Sequence, residues 1–374
     1  MDSSIWRVVG APLLVTGSGA GPLAGGTVAV KDLFAVEGHA VGAGNPAYLE
    51  QSPVASAHAA AVRRLLDLGA SIRGIARTDE FAYSIMGANA HYGAPPNPNA
   101  PLGMPGGSSS GPASAVASGE ASIGLGTDTA GSVRVPASWQ GLWGLRTTHG
   151  AVSREGLLPL APSFDTVGWL TRSPDLLADL ARTADGGAAG GEFVVCRELV
   201  ESADAGVRRA FEERIKGLDL RAVRLPDIDA ALPAFRTAQA AEAWRAHGEW
   251  VSAHPDALGA DIAARFAWAA TVTADQEAEA RSALSGLRAE AEAVLGDAVL
   301  LLPTTPTAAP PRTADAAELD AVRAATIRLT CLAPILGRPA LSAPLLEGDG
   351  APVGLSLLGP QGSDVHLVKL GEEL

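Results

Sequence analysis

Three serines stand in a row in PGGSSSG, residues 105–111, and a fourth, Ser132, closes GTDTAGS, residues 126–132. Hydroxyls framed by glycine can serve nucleophilic catalysis, so each has to be weighed. Gly107-Ser108-Ser109-Ser110-Gly111 fits the G-x-S-x-G nucleophile elbow, with Ser109 at its centre. That elbow must follow a buried strand. The preceding HYGAPPNPNAPLGMP carries five prolines, which a central strand does not tolerate, and the elbow is excluded. The second stretch, GLGTDTAGSVRVPAS at 124–138, imitates a phosphate-binding loop between Gly126 and Gly131. Ser132 and Val133 stand where the loop's lysine and hydroxyl should follow, which excludes nucleotide binding. What remains is a glycine-rich turn presenting Ser132 beside the successive N–H groups of Thr129, Ala130, Gly131 and Ser132. Such a turn suits an acyl-transfer nucleophile next to an oxyanion hole. The competing use of Ser132 is a helix N-cap.

A base for such a nucleophile is suggested by lysine scarcity. Of 28 basic residues only Lys31, Lys216 and Lys369 are lysines, so arginine serves almost wherever a positive charge suffices. Lys216 and Lys369 lie in polar, helix-like segments. Lys31 lies in TVAVKDLFAV, an apolar β-branched run expected to be a mostly buried strand end. A buried lysine can lose its proton and an arginine cannot. The alternative is a lysine snorkelling to solvent from an edge strand.

The elements that must position these groups alternate. ASAHAAAVRRLLDL has helical apolar spacing and stops at Gly69, SIRGIAR reads as a strand, and TDEFAYSIM as the start of another helix. ASIGLG, EFVVC and AVLLLPTTP read as core strands, and the C-terminal part as a hairpin around Gly348 to Gly350. The expected fold is α/β, a single large mixed, mostly parallel sheet with helices on both faces. One domain is expected over 1–374, with core segments 20–190 and 297–374. Residues 200–296, rich in Ala, Glu and Arg, form a helical region expected to cap the substrate.

Composition narrows the class. Hydrophobic residues make up 47% and charged residues 18%, as in a well-folded enzyme. A net charge of −13 with acids spread along the chain argues against nucleic acid. Cys196 and Cys331 are far apart without metal-ligand spacing, so a reduced, cytoplasmic chain is expected. The N-terminus lacks a signal peptide's basic start, and residues 8–30 are too broken by glycine and proline to span a membrane. Neither ligand clusters nor a complete nucleotide motif appears, so no metal or organic cofactor is implied.

PGGSSSGPASAVASG followed by LGTDTAGSVRVPAS resembles the amidase signature family, whose usual form is GGSSGG…GTDTGGS-[IV]-R. The 24-residue interval from Ser108 to Ser132 is the family's, and VAVKDLFAVEG resembles its catalytic lysine segment. LLPTTPTAAP and GRPALSAP…APVGLSLLGPQGSD extend the likeness over nearly the whole chain apart from the helical middle. FAYSIMGANAHYGAPPNP and THGAVSREGLLPLAPSFDTVGWL are most similar to indole-3-acetamide hydrolases and related bacterial amidases. The resemblance implies Lys31 as general base, Ser108 as bridging serine after a cis peptide with Gly107, and Ser132 as nucleophile. It further implies a small amide substrate, with an arylacetamide the narrower expectation, and a homodimer left open as the assembly. Ser109 would be a supporting hydroxyl, and Asp128 and Arg134 would brace the nucleophile loop or form an ordinary ion pair. Tyr83, Ile85 and Met86 would line the acyl pocket or belong to the core. His149 is given no catalytic part. Ala130 departs from the family's glycine, which matters only if that position needs φ above zero. Two other functions stay in play, the glutaminase-like component of an amidotransferase and an amidase-like scaffold without hydrolysis.

Overall fold

Eleven strands run in the order β1-β3-β2-β4-β6-β5-β10-β11-β9-β7-β8 across one sheet of this computed structural model, which describes residues 2–184 and 186–374. They are β1 (Trp6–Val9), β2 (Thr27–Lys31), β3 (Ser71–Ala76), β4 (Ile123–Asp128), β5 (Trp143–Arg146) and β6 (Thr166–Thr171). β7 (Phe193–Val195), β8 (Leu220–Ala222), β9 (Val299–Pro303), β10 (Ala340–Gly348) and β11 (Ala351–Leu358) complete it. Every residue of β4, β5, β6 and β9 is buried. Successive strand residues face opposite sides, so both faces of the central sheet are covered.

The sheet is mixed, as expected, but parallel pairing is confined to two blocks. β2 pairs in parallel with β3 and β4, and β7 with β8 and β9. The six other neighbour pairs are antiparallel. The expectation of a mostly parallel sheet is corrected accordingly. Alternating helices and strands suggested βαβ crossovers throughout, yet β5, β6 and β10 meet as antiparallel partners. β10 and β11 form the anticipated hairpin. Its tip, Asp349-Gly350, has φ of 50° and 76°, the left-handed pair that a two-residue hairpin turn requires.

Two further expectations change. The segment 200–296 is not wholly helical, because β8 lies within it and extends the sheet edge beside β7. Its remaining length is dominated by helices Ile228–Ala253, Ala260–Ala269 and Ala274–Leu295. TDEFAYSIM does not open a helix. A single 3-10 turn, Glu80–Ala82, carries Phe81 and Ala82 at φ of 49° and 56°. Those left-handed angles cost side-chain-bearing residues of order 1–2 kcal/mol each. The turn is held by Phe81 N–H on the Ala43 carbonyl at 2.8 Å and by Ala82 N–H on that of Asp79 at 2.9 Å. Among the described residues no helix is long and apolar enough to cross a membrane.

Candidate active site

β2 sits between β3 and β4, so its last residue, Lys31, emerges inside the protein, and its side chain is fully buried. Its Nζ lies 2.8 Å from Ser108 Oγ, 2.8 Å from Thr127 Oγ1 and 3.1 Å from Ser109 Oγ. Three hydroxyls match the three donors of an ammonium group, and among the described residues no carboxylate forms an ion pair or hydrogen bond with it. Burial pushes the lysine down to about 7, against the opposing pull of Asp79, Asp128 and Asp165. When the amine loses a proton, one hydroxyl must turn and donate to it. Ser109 is not that hydroxyl, because its Oγ donates to the Thr127 carbonyl at 3.3 Å. It also accepts from Thr127 N–H at 3.3 Å, and so works as a positioning group. Ser108 and Thr127 are left as the reversible partners.

The triple-serine loop is anchored from the segment after β3. Thr78 Oγ1 donates to the Ser108 carbonyl at 2.8 Å and Asp79 N–H does so at 3.2 Å. Asp79 in turn accepts from Gly87 N–H at 2.9 Å and from Ser110 Oγ at 3.1 Å. The Gly107–Ser108 peptide is cis, as the family resemblance implied. A Cβ on Gly107 would fall 2.2 Å from Asp79 Oδ2, and one on Gly126 would fall 2.6 Å from Ser109 Oγ. Both glycines are therefore required for the loop to lie down on β4 beside the lysine.

The second loop leaves β4 at Asp128, passes Ser132 and enters helix Arg134–Gln140. Asp128 organises it. Its carboxylate receives Arg134 Nε and Nη2 at 2.9 Å each and Gly131 N–H at 2.9 Å. Arg146 of β5 adds Nη1 at 3.2 Å, a partner that its strand's short, unpatterned sequence did not reveal. Burial alone would raise the Asp128 pKa, but the two guanidinium groups hold it well below the usual carboxylate range. Thr129 Oγ1 donates to Asp165 at 2.6 Å, and Ser109 N–H to the Ser132 carbonyl at 3.2 Å, which joins the two loops. Gly131 has φ of 127°, whereas Ala130 has no positive φ, so the alanine substitution brings no backbone conflict.

Ser132 opens into a cleft lined by Tyr83, Ile85, Thr129, Ala130, Leu160 and Gln239, with Arg323 and Ile327 at its side. Met86 does not line that cleft and belongs to the core instead. Among the described residues Ser132 Oγ has no hydrogen-bond partner, so Lys31 and Ser108 are in contact while Ser108 and Ser132 are not yet bonded. Such contacts often tighten only with substrate bound. Among the described residues the N–H groups of Thr129, Ala130 and Ser132 are likewise free, while Gly131 N–H is committed to Asp128. Of the four donors expected from the sequence, three are therefore available. His149 does not line the cleft; its Nδ1 is buried without a partner, and burial lowers its pKa to about 4.

Asp79 offers a test of the lysine's environment. Its negative charge is the largest influence resisting the burial-driven drop in the Lys31 pKa. Asp79→Asn keeps an acceptor for Gly87 N–H and removes that charge. The acid limb of the pH–kcat/KM profile is expected to move to lower pH in the variant. An unmoved limb would mean that Asp79 does not act on Lys31.

The site thus sets a buried amine among hydroxyls, beside a glycine-shaped serine loop. Comparison with known proteins gives the family. The family model for Amidase matches residues 12–189 and 193–368. Amidase 1 of Arabidopsis thaliana is 35% identical over 401 residues, covering 96% of this chain and 94% of its own. A glutamyl-tRNA(Gln) amidotransferase component from Thermus thermophilus is 34% identical, covering 93% and 83%. An amidase crystal structure, 34% identical, superposes with a TM-score of 0.85 over 94% of this chain and 84% of its own. The chain belongs to the amidase signature family and is an amidase.

Proposed function

We propose that this amidase hydrolyses small primary amides to a carboxylic acid and ammonia through Lys31, Ser108 and Ser132. Neutral Lys31 takes the proton of Ser108 as Ser108 takes that of Ser132, and Ser132 Oγ attacks the amide carbon. The N–H groups of Thr129, Ala130 and Ser132 receive the oxyanion. Ser108 returns a proton to the departing nitrogen, leaving the acyl group as an ester on Ser132. Water then cleaves that ester by the same relay and restores both hydroxyls. The observation that carries this reading is the fully buried Lys31, hydrogen-bonded to three hydroxyls and poised near neutrality. Helices Ile228–Ala253 and Ala260–Ala269 would cap the acyl group, and the free, buried Cys196 and Cys331 are in keeping with a cytoplasmic enzyme.

Ammonia release from a panel of primary amides tests the reaction. The panel holds indole-3-acetamide, phenylacetamide, benzamide, short aliphatic amides and glutamine, the last because an amidotransferase component is among the relatives. Lys31→Met is expected to cut kcat/KM by about 10²–10⁴ while the protein stays folded. Full turnover in that variant would overturn the mechanism. A second readout is stability. The lysine titrates near its ordinary value of 10.5 when unfolded and at about 7 when folded. Across that window the unfolded chain binds more protons, so stability should rise with pH by about 1.4 kcal/mol per unit. Lys31→Met should remove this contribution, which pH-dependent urea unfolding would show.

A further inference from the structure

Beside the Ser132 cleft lies a second cavity of about 410 Å³. Tyr83, Gln239 and Arg323 line both, so the two adjoin at these residues. Three arginines reach the larger cavity from three helices: Arg236 from Ile228–Ala253, Arg265 from Ala260–Ala269 and Arg323 from Ala316–Thr330. The fully buried guanidinium groups Arg134, Arg146 and Arg338 each have a carboxylate partner, Asp128 for the first two and Glu292 for the third, even though Arg146 Nε and Arg338 Nη1 make no hydrogen bond. The three cavity arginines are half-buried and have no such partner among the described residues, and Arg236 Nε and Arg265 Nε and Nη1 are buried atoms without a hydrogen bond. Among the described residues no hydrogen bond or ion pair ties any of the three to Asp261 or Asp320. Those two carboxylates also line the cavity but are exposed residues.

Guanidinium groups stay charged at neutral pH. Burial lowers the pKa of both Arg265 and Arg323, and Arg323 also feels the repulsion of Arg265 and Arg236; the pull of Asp261 on Arg265 and of Asp320 on both offsets this only in part. Unsatisfied buried donors cost free energy that a neutral acyl group would leave uncompensated. A carboxylate would satisfy them with charge-assisted hydrogen bonds, to which planar guanidinium groups are geometrically matched. We infer that the substrate amide carries a carboxylate at the end of its acyl chain remote from the scissile carbonyl, held by Arg236, Arg265 and Arg323. The substrate class is then the monoamide of a dicarboxylic acid. This inference rests on the amide-hydrolysis reading for the reaction and adds the identity of the acyl group.

Two measurements test it. The first compares kcat/KM for succinamate, glutaramate and adipamate with butanamide, pentanamide and hexanamide in wild type, Arg265→Gln and Arg323→Gln. Wild type should prefer the anionic member of the best pair, and each variant should reduce that preference by about 10–100-fold. Arg265→Lys and Arg323→Lys, which keep the charge without the planar fork, should retain part of it. Equal or better turnover of the neutral members, with a ratio unmoved by the variants, would overturn the inference. The second measurement needs no catalysis. Succinate, glutarate or adipate should raise the Tm of wild type, and the Gln variants should lose that shift. No shift with any of the three in wild type would count against the anion site. A shift without turnover of any amide would keep the anion site and remove the reaction. Neutral-amide turnover lost in Ser132→Ala, without charge preference, would do the reverse. The Gln variants each delete an unpartnered cation, so without ligand their Tm should match or exceed that of wild type.

Discussion

Ser132→Ala is expected to lower kcat/KM by about 10⁴–10⁶, the range seen when a hydrolase loses its nucleophilic serine. Among the described residues the Ser132 hydroxyl makes no hydrogen bond, so the unfolding midpoint should hold. Ser109→Ala makes the informative contrast. That hydroxyl bonds Lys31 Nζ and both the N–H and the carbonyl of Thr127. Its loss strands a buried N–H, which costs about 1–3 kcal/mol of stability. The lysine keeps its contacts to Ser108 and Thr127, so the rate loss should be much smaller than for Ser132. Ammonia release and covalent labelling by a serine-directed fluorophosphonate would read both variants. Labelling and turnover that survive in Ser132→Ala would place the nucleophile back among residues 108–110.

The largest effect on stability is expected at Asp128. Its carboxylate compensates two guanidinium groups that are almost wholly buried, Arg134 and Arg146. Asp128→Asn leaves both cations without a counter-charge, and breaking a buried pair in this way costs about 3–5 kcal/mol. Urea unfolding would show the loss as a lower midpoint. The pH dependence has the same sense as that of Lys31, stability rising with pH, but in the acid range. A carboxyl whose folded pKa lies below its unfolded value near 3.9 adds stability above that value. The contribution fades as pH falls through the acid range toward the folded pKa, so the variant should have a flatter acid limb. A midpoint equal to that of wild type would mean that the two arginines find other partners. Because Gly131 N–H also rests on Asp128, a folded remnant of the variant should be slow as well.

Much of this site was legible in the chain itself. Lys31 stood out because so few lysines survive and because its neighbours are β-branched, and the folded protein does bury it. The strands containing Val30, Ile75, Leu125, Val194 and Leu301 were readable as short, largely apolar segments bounded by turn residues. β5 and β6 were not recognised, since WGLR and TVGWLT mix glycine, arginine and threonine, and their burial depends on strands distant in sequence. Antiparallel pairing was hidden for the same reason, because local patterns do not specify which neighbour a strand meets. Within the site, the commitment of Gly131 N–H to Asp128 depends on how the turn closes and leaves no mark in composition. Thr127, Asp79 and Asp165 were invisible as partners of the catalytic groups, because ordinary polar residues acquire such roles only through proximity. Nothing in the sequence singled out Arg236, Arg265 and Arg323. Their convergence follows from how three helices cross.

The groups assigned to bond cleavage stand on β2, β4 and the two loops that follow Asp79 and Asp128, whereas the far wall of the adjoining cavity stands on helices outside those loops. Tyr83, Gln239 and Arg323 line both the cleft and the cavity. A lineage can therefore exchange wall residues without disturbing the reaction centre. Descendants of one ancestral chain would keep a common chemistry while diverging in diet, and a few codons on three helices would suffice to open a new niche.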